Sequence, residues 1–182
     1  MADYVAFLRA INLGKNRKFP MAELRALLAS AGFEGVETYI QTGNVRLRST
    51  KGAPRGLEER LEELFEADRG FAVPTIVLTV AELAQVYADA AGLTAPLDAP
   101  ADGLRRYVTL LKDVPDTAAA AEIEALSTDD EAARVRGRAV HLWMRQGYQN
   151  ARLGNARVEK LLGVATTRDL KVVTALAQRW AS

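Results

Sequence analysis

Residues 38–45 read Thr38-Tyr39-Ile40-Gln41-Thr42-Gly43-Asn44-Val45, and this stretch predicts a β-hairpin. Alternation puts Ile40 on the apolar face of the first strand and Gln41 on the opposite face, and Thr42-Gly43-Asn44 supplies a turn into a second strand, Val45 to Arg48. The stretch also places amide side chains inside and beside buried strands. An unpaired buried amide costs about 1–3 kcal/mol, so we expect these side chains to join a structural hydrogen-bond network or to contact a ligand.

The elements around the hairpin predict a ferredoxin-like first half. A buried strand is predicted from Tyr4 to Ile11. A helix follows at Pro20, which suits a first helical turn, and Gly32 ends it. After the hairpin, a loop over Lys51 to Gly56 leads into a second helix, and Val73 to Val80 forms a last strand. The order β-α-β-β-α-β is that of a four-stranded antiparallel sheet covered on one face by two helices.

A second half of similar order is predicted after a linker. Residues 93–103 lack periodicity and are rich in Ala, Pro, Asp and Gly, which predicts a linker between a first half, 1–92, and a second half, 104–182. The second half is predicted to hold a strand, a helix, a hairpin and two C-terminal helices. Their predicted bounds are Arg105 to Leu111, Pro115 to Leu126, Glu131 to Val135 with Ala139 to Met144, Asn155 to Leu162, and about Arg168 to Trp180. The predicted fold class is therefore α+β, a ferredoxin-like half followed by a similar half with two C-terminal helices.

The composition excludes several kinds of site. The chain has no cysteine, which excludes disulfides, thiolate metal sites and cysteine nucleophiles, and its single histidine, His141, argues against a histidine-rich metal site. No spacing indicates a catalytic triad or a general acid–base pair. We therefore expect no metal and no cofactor. The stretch Met1-Ala2-Asp3-Tyr4 resembles neither a signal peptide nor a membrane span, which predicts a cytoplasmic protein without a membrane partner.

Charge is unevenly distributed along the chain, although the net charge is only +1. Residues 9–55 carry nine Lys or Arg and three Asp or Glu, residues 136–182 carry nine and two, and the intervening residues 56–135 carry six and seventeen. This asymmetry favours a face suited to anions. Alternatively, the acidic block consists of solvated helix faces, including Glu58-Glu59 and Glu62-Glu63, and pairs with the basic ends.

A polar loop between the first strand and the first helix is the main candidate for ligand binding. It reads Asn12-Leu13-Gly14-Lys15-Asn16-Arg17-Lys18, and a glycine with three cations ahead of a helix could hold a phosphate or another anion. It lacks the spacing of a Walker motif, and a flexible solvated loop is the plain alternative. Together with the hairpin, the loop predicts a binding site for a phosphate-bearing small molecule such as a nucleotide. The predicted ligand-binding residues are Arg9, Asn12, Lys15, Asn16, Lys18, Tyr39, Gln41 and Asn44.

Three other interpretations stay open at the level of sequence. Tyr39, Gln41, Arg46 and Arg48 share one face of the predicted hairpin, and an open sheet face of this kind could bind single-stranded nucleic acid. An enzyme would need an acid or base near the loop, and the nearest in sequence are Glu23 and Glu37. Finally, the amides could be architectural and bond the backbone, locking the loop against the hairpin.

The chain resembles a bacterial family known as domain of unknown function 1697. The resemblance lies in Leu8-Arg9-Ala10-Ile11-Asn12-Leu13-Gly14, Lys15-Asn16, Pro20-Met21 with Leu24, Gly32-Phe33 and, above all, residues 38–45. The family more often has Gly at position 10 and Ser at position 42. At the C-terminus it tends toward Thr-Arg-Asn-Trp-Asn-Thr-Val, whereas residues 167–173 read Thr-Arg-Asp-Leu-Lys-Val-Val. The resemblance implies an α+β fold of ferredoxin-like character, but no reaction and no catalytic residues.

Overall fold

The computed structural model describes residues 1–50, 54–98 and 103–181. Part of the predicted loop after the hairpin and part of the predicted linker, residues 51–53 and 99–102, lie outside the described residues. The strands are β1 (Ala2–Leu8), β2 (Glu34–Tyr39), β3 (Asn44–Ser49), β4 (Thr75–Thr79), β5 (Arg105–Leu111), β6 (Glu131–Arg136), β7 (Ala139–Met144) and β8 (Ala165–Asp169). The α-helices are α1 (Met21–Ser30), α2 (Pro54–Arg69), α3 (Val80–Gly92), α4 (Thr117–Ala125), α5 (Asn155–Leu162) and α6 (Leu170–Trp180).

The described residues form two compact units, each with a four-stranded antiparallel sheet. The first unit comprises residues 1–83 with the C-terminal residues from Trp180 on, and the second comprises residues 84–179. The strand orders are β2-β3-β1-β4 and β6-β7-β5-β8, so the two halves repeat the same path. The predicted fold class, α+β with two similar halves, is confirmed. None of the helices in the described residues is both long and apolar enough to cross a membrane.

The first unit buries one face of its sheet under α1 and α2. Alternate residues of the central strand β1, namely Tyr4, Ala6 and Leu8, lie on this face, as the two-residue period of a strand requires. They form one buried cluster with Val45 and Leu47 of β3, Leu24 and Leu28 of α1, and Leu57, Leu61 and Phe65 of α2. The four-residue spacing of these apolar side chains therefore marks the buried stripe of each helix.

The second unit contains a strand, β8, that sequence analysis missed. The predicted last helix began at about Arg168, but residues Ala165–Asp169 form a strand that pairs with β5, and α6 begins at Leu170. This strand has only five residues, mostly polar, so it carries no apolar alternation. Its pairing with β5 makes it a strand, and the hydroxyls of Thr109 and Thr167 meet across the two strands at 2.8 Å.

The prediction that all four glutamates of α2 face water is wrong for two of them. Glu58 is 1% exposed and accepts the backbone N–H of Val77 at 2.9 Å, and Glu62 accepts that of Thr75 at 2.7 Å. Strand β4 lies at the edge of its sheet, so these N–H groups have no neighbouring strand. Glu82 completes the row, because it accepts the N–H of Thr79 at 2.8 Å. A carboxylate can lie on the buried side of a helix when it satisfies donors of this kind.

Replacing Glu58 tests this arrangement. We expect Glu58→Ala to lower the free energy of unfolding by about 2–3 kcal/mol, because it leaves a buried backbone donor without its acceptor. Glu63→Ala, one residue beyond Glu62 on the exposed side of α2, should change it by at most about 0.5 kcal/mol. Urea unfolding of both variants measures the difference, and equal losses would contradict the role assigned to Glu58.

Candidate functional site

The loop between β1 and α1 has an unusual backbone. Ala10, Asn12 and Arg17 have φ values of +55°, +55° and +56°, and Gly14 has +59°. Positive φ is uncommon outside glycine, and it costs least for Asn, which is the residue at position 12. Strained residues of this kind cluster at functional sites more often than elsewhere.

Asn12 holds this loop in place through its side chain. Its Nδ2 donates to the carbonyl oxygens of Phe19 and Gln41, both at 2.9 Å, and its Oδ1 accepts the backbone N–H of Phe19 at 2.8 Å. Its own backbone N–H donates to the carbonyl of Arg17 at 2.9 Å. One side chain thus closes the loop on itself and joins it to the hairpin turn.

The hairpin turn is strained in the same way. Ile40 was predicted on the apolar face of a strand, but the strand ends at Tyr39 and Ile40 lies in the turn with a φ of +49° and 45% of its surface exposed. Asn44 begins the next strand and is fully buried. Its Nδ2 donates to the carbonyl of Tyr39 at 3.0 Å and to the hydroxyl of Thr42 at 2.9 Å. The amide of Asn44 therefore replaces backbone partners that the turn does not supply.

Gly43 brings the turn into close contact with the first strand. Its carbonyl accepts the N–H of Leu8 at 2.8 Å. Its φ is +76°, and a Cβ atom at this position would lie 2.8 Å from atoms of both Leu8 and Ile11. Both the backbone conformation and the packing therefore require glycine.

Arg17 is a member of the site that sequence analysis did not single out. Its Nε donates to the carbonyl of Ala10 and its NH2 to that of Ala72, each at 2.6 Å, and its guanidinium lies 4.7 Å from the ring centre of Phe71. A planar group with five donors can serve two carbonyls and a ring at once, which a lysine cannot. The difference between Arg and Lys was the signal in the sequence that distinguished Arg17 from its neighbours.

The structure divides the eight predicted site residues into two groups. Asn12, Gln41 and Asn44 meet at the junction of loop and turn, where the Asn side chains bond the backbone and Gln41 contributes its carbonyl. The architectural interpretation predicts backbone bonds from all three amide side chains; those of Asn12 and Asn44 make such bonds, whereas the side chain of Gln41 is exposed. Of the other five residues, Lys15, Asn16 and Lys18 are exposed, and Arg9 and Tyr39 are half-buried.

The sheet face proposed for nucleic acid is not open at its centre. Val5 and Phe7 of β1 and Ile76 and Leu78 of β4 lie on the face opposite the α1–α2 core, and all four are completely buried. Arg46, on the same face, forms ion pairs with Asp3 at 3.0 Å and with Glu37 at 3.1 Å. A base cannot stack on residues that are already buried, so this face lacks the platform that the interpretation needs.

The acids nearest to the loop in sequence also have partners. Glu23 pairs with Arg69 at 2.7 Å, and Glu37 pairs with Arg46 and accepts the indole N–H of Trp180 at 3.2 Å. Within the described residues, no three His, Asp or Glu side chains are grouped so that they could hold a metal ion. The surface beside the loop therefore carries basic and amide groups. The two nearest carboxylates in sequence, Glu23 and Glu37, are already paired with arginines.

His141 lies in the second unit, on β7, and is buried. Burial lowers its pKa to about 4; the charge of Asp89 opposes this shift, and the charges of Arg106 and Arg136 add to it. Neither ring nitrogen has a hydrogen-bond partner in the described part of the chain. A neutral, buried imidazole without an orienting partner is not placed for proton transfer.

Comparison with known proteins places the loop and the turn in a shared region. Residues 1–141 match the model of a family described as "Protein of unknown function (DUF1697)". The chain belongs to this family. A solved structure of a conserved bacterial protein from Streptococcus pneumoniae is similar over 100% of this chain and 99% of its own, with a TM-score of 0.73 and 26% sequence identity. No curated protein matches the chain. Both strained segments lie within the part that defines the DUF1697 family.

The role of Asn12 can be tested by truncation. We expect Asn12→Ala to lower the free energy of unfolding by about 2–4 kcal/mol, because it removes three hydrogen bonds and leaves alanine at a positive φ. Asn16→Ala in the same loop is the matched control. Its side chain is exposed and has no hydrogen-bond partner in the described part of the chain, so the change should stay within about 0.5 kcal/mol. Similar losses in both variants, measured by urea unfolding, would refute a structural role specific to Asn12.

Two glycines at positive φ allow strain to be separated from packing. Gly14→Ala adds a Cβ in open space at a φ of +59°, so we expect a loss of about 1 kcal/mol. Gly43→Ala combines the same strain with the contacts to Leu8 and Ile11, and its loss should reach about 2–4 kcal/mol. Thermal and urea unfolding of the two variants measure the gap, and a Gly43 variant as stable as the Gly14 variant would rule out the close contact.

Proposed function

We propose that this protein binds a phosphate-bearing small molecule, such as a nucleotide, at the basic loop, here defined as residues 13–18. The observation that carries the proposal is a set of backbone donors. Among the described residues, no acceptor forms a hydrogen bond with the N–H groups of Leu13, Gly14 and Lys15. These groups lie on an exposed loop whose shape is fixed by Asn12 and Arg17, so an incoming anion would not have to order them.

The path of the backbone supports an anion rather than a neutral ligand. Ala10, Asn12 and Gly14 have positive φ, and Ile11 and Leu13 between them do not. Concave nests that bind anions form where right- and left-handed residues alternate, and the positive φ at every second residue here supplies the left-handed part of that pattern. The loop also precedes α1, whose N-cap residue, Pro20, provides no side-chain cap.

The side chains of the basic loop provide charge without competing partners. Lys15 and Lys18 are exposed, and neither has an ion-pair partner among the described residues. Arg17 is committed to two carbonyls and a ring, so it fixes the loop and leaves recognition to the lysines. An exposed ammonium group suits a phosphate, which it meets as a point charge.

An apolar surface next to the loop supports an organic group on the phosphate. Leu13 is 64% exposed, and Ile40 is held outward in the turn by its positive φ. The bond from Asn12 to the carbonyl of Gln41 joins the segments that carry these two residues. The exposed side chain of Gln41 adds a hydrogen-bonding group beside them, so a base or a similar planar group would find both apolar and amide contacts.

Titration with inorganic phosphate and with AMP, followed by the amide signals of uniformly 15N-labelled protein, tests the proposal. We expect the signals of residues 13–15 to shift saturably, because their N–H groups would gain an acceptor. The double variant Lys15→Gln/Lys18→Gln should bind at least about tenfold more weakly, since each lost charge-assisted bond contributes about 1–3 kcal/mol.

Lys160→Gln removes an exposed lysine elsewhere and is the charge-matched control. Its affinity should equal that of the wild type. An unperturbed loop at millimolar phosphate and AMP, or a double variant that binds like the control, would exclude an anion site here. A short single-stranded oligonucleotide is the third arm: tight, steeply salt-dependent binding that shifts the sheet residues instead of the loop would favour nucleic acid.

A further inference from the structure

The second unit contains a large cavity made entirely from its own residues. Its volume is about 820 Å³, within the range of about 300–1,000 Å³ that is typical of small-molecule sites. It lies where β5 begins and where β8 passes into α6. Its polar and charged walls are formed mainly by Arg105, Arg106, Tyr107, Asp169, Lys171 and Thr174.

The walls of this cavity carry an excess of positive charge. Arg105 and Lys171 are exposed, and neither has an ion-pair partner in the described part of the chain. The carboxylate of Asp169 accepts the backbone N–H of Lys171 at 2.8 Å, so it is engaged at the start of α6. Three cations and one carboxylate therefore line the cavity, which favours an anionic occupant.

Arg106 gives a second, independent indication of an occupant. Its NH2 donates to the carbonyl of Ala90 at 2.7 Å, and its guanidinium lies 4.9 Å from the ring centre of Trp143. Its Nε is buried and has no hydrogen-bond partner in the described residues. Buried donors are nearly always paired, so this orphan leaves the Arg106 guanidinium with unused hydrogen-bonding capacity at the wall of the cavity.

We propose that this cavity binds a small organic anion, with its phosphate or carboxylate group held by Arg105, Arg106 and Lys171. The apolar part of the wall, formed by Leu104, Leu170 and Ala175, receives the organic body of the ligand. Thr174 provides a hydroxyl for a further polar contact. This site is separate from the basic loop, and neither proposal depends on the other.

Titration of 15N-labelled protein with phenyl phosphate and with benzoate tests the site and distinguishes phosphate from carboxylate. We expect saturable shifts at residues 104–107 and 169–175 with at least one of the two probes. The variant Arg105→Gln/Lys171→Gln should bind that probe about tenfold or more weakly, because two charge-assisted contacts are lost. Both side chains are exposed, so the fold should tolerate the changes, and the two single variants provide a graded comparison.

Two controls make the result decisive. Lys160→Gln should bind like the wild type, and inorganic phosphate should bind at least about tenfold more weakly than the better organic probe, because it cannot use the apolar wall. Absence of shifts at residues 104–107 and 169–175, equal affinity of the double variant and the control, or equal affinity for inorganic phosphate would overturn the proposal. Shifts at residues 13–15 would report on the basic loop separately.

Discussion

The side chain of Asn12 is the constraint on which the first unit's candidate site depends. It joins the two ends of the basic loop through Phe19 and ties that loop to the hairpin turn through the carbonyl of Gln41. Because three hydrogen bonds converge on one amide, the backbone can persist at positive φ at Ala10 and Ile40, where side chains are normally unfavourable. The loop therefore presents its donors and lysines in one geometry, and a ligand that binds there meets a preorganised surface.

The amide side chains of Asn12 and Asn44 support the backbone of the loop and the turn. Asn12 and Asn44 form hydrogen bonds with backbone groups, and the guanidinium of Arg17 does the same. What remains for a ligand is the exposed backbone of Leu13 to Lys15 with the lysine side chains. The distinctive residues of this segment therefore maintain a shape, and they form no recognisable catalytic pattern.

Carboxylates protect sheet edges in both units. In the first, Glu62, Glu58 and Glu82 accept successive outward N–H groups of β4. In the second, Glu159 of α5 accepts the N–H of Ala165 at 3.2 Å, at the start of the corresponding edge strand β8. Both units therefore use glutamates of neighbouring helices to accept N–H groups of an edge strand. Without such acceptors, an edge strand can pair with a strand of another molecule. Part of the acidic character of residues 56–135 serves this purpose rather than solvation.

The sequence by itself determined the fold class and the location of the unusual segments. Apolar periodicity marked the buried faces of β1 and α2, and glycine with amides marked the hairpin, because these signals are local. Tertiary structure decided the rest. The inward side of Glu58, the exposure of Ile40 and the strand β8 depend on partners distant along the chain, and the cavity beside Arg106 forms only when β5 and α6 meet. A polar side chain supports the backbone when the fold brings a backbone donor or acceptor within about 3 Å of it, and is otherwise available to a ligand. These distances join residues far apart in sequence, so a local sequence pattern does not reveal them.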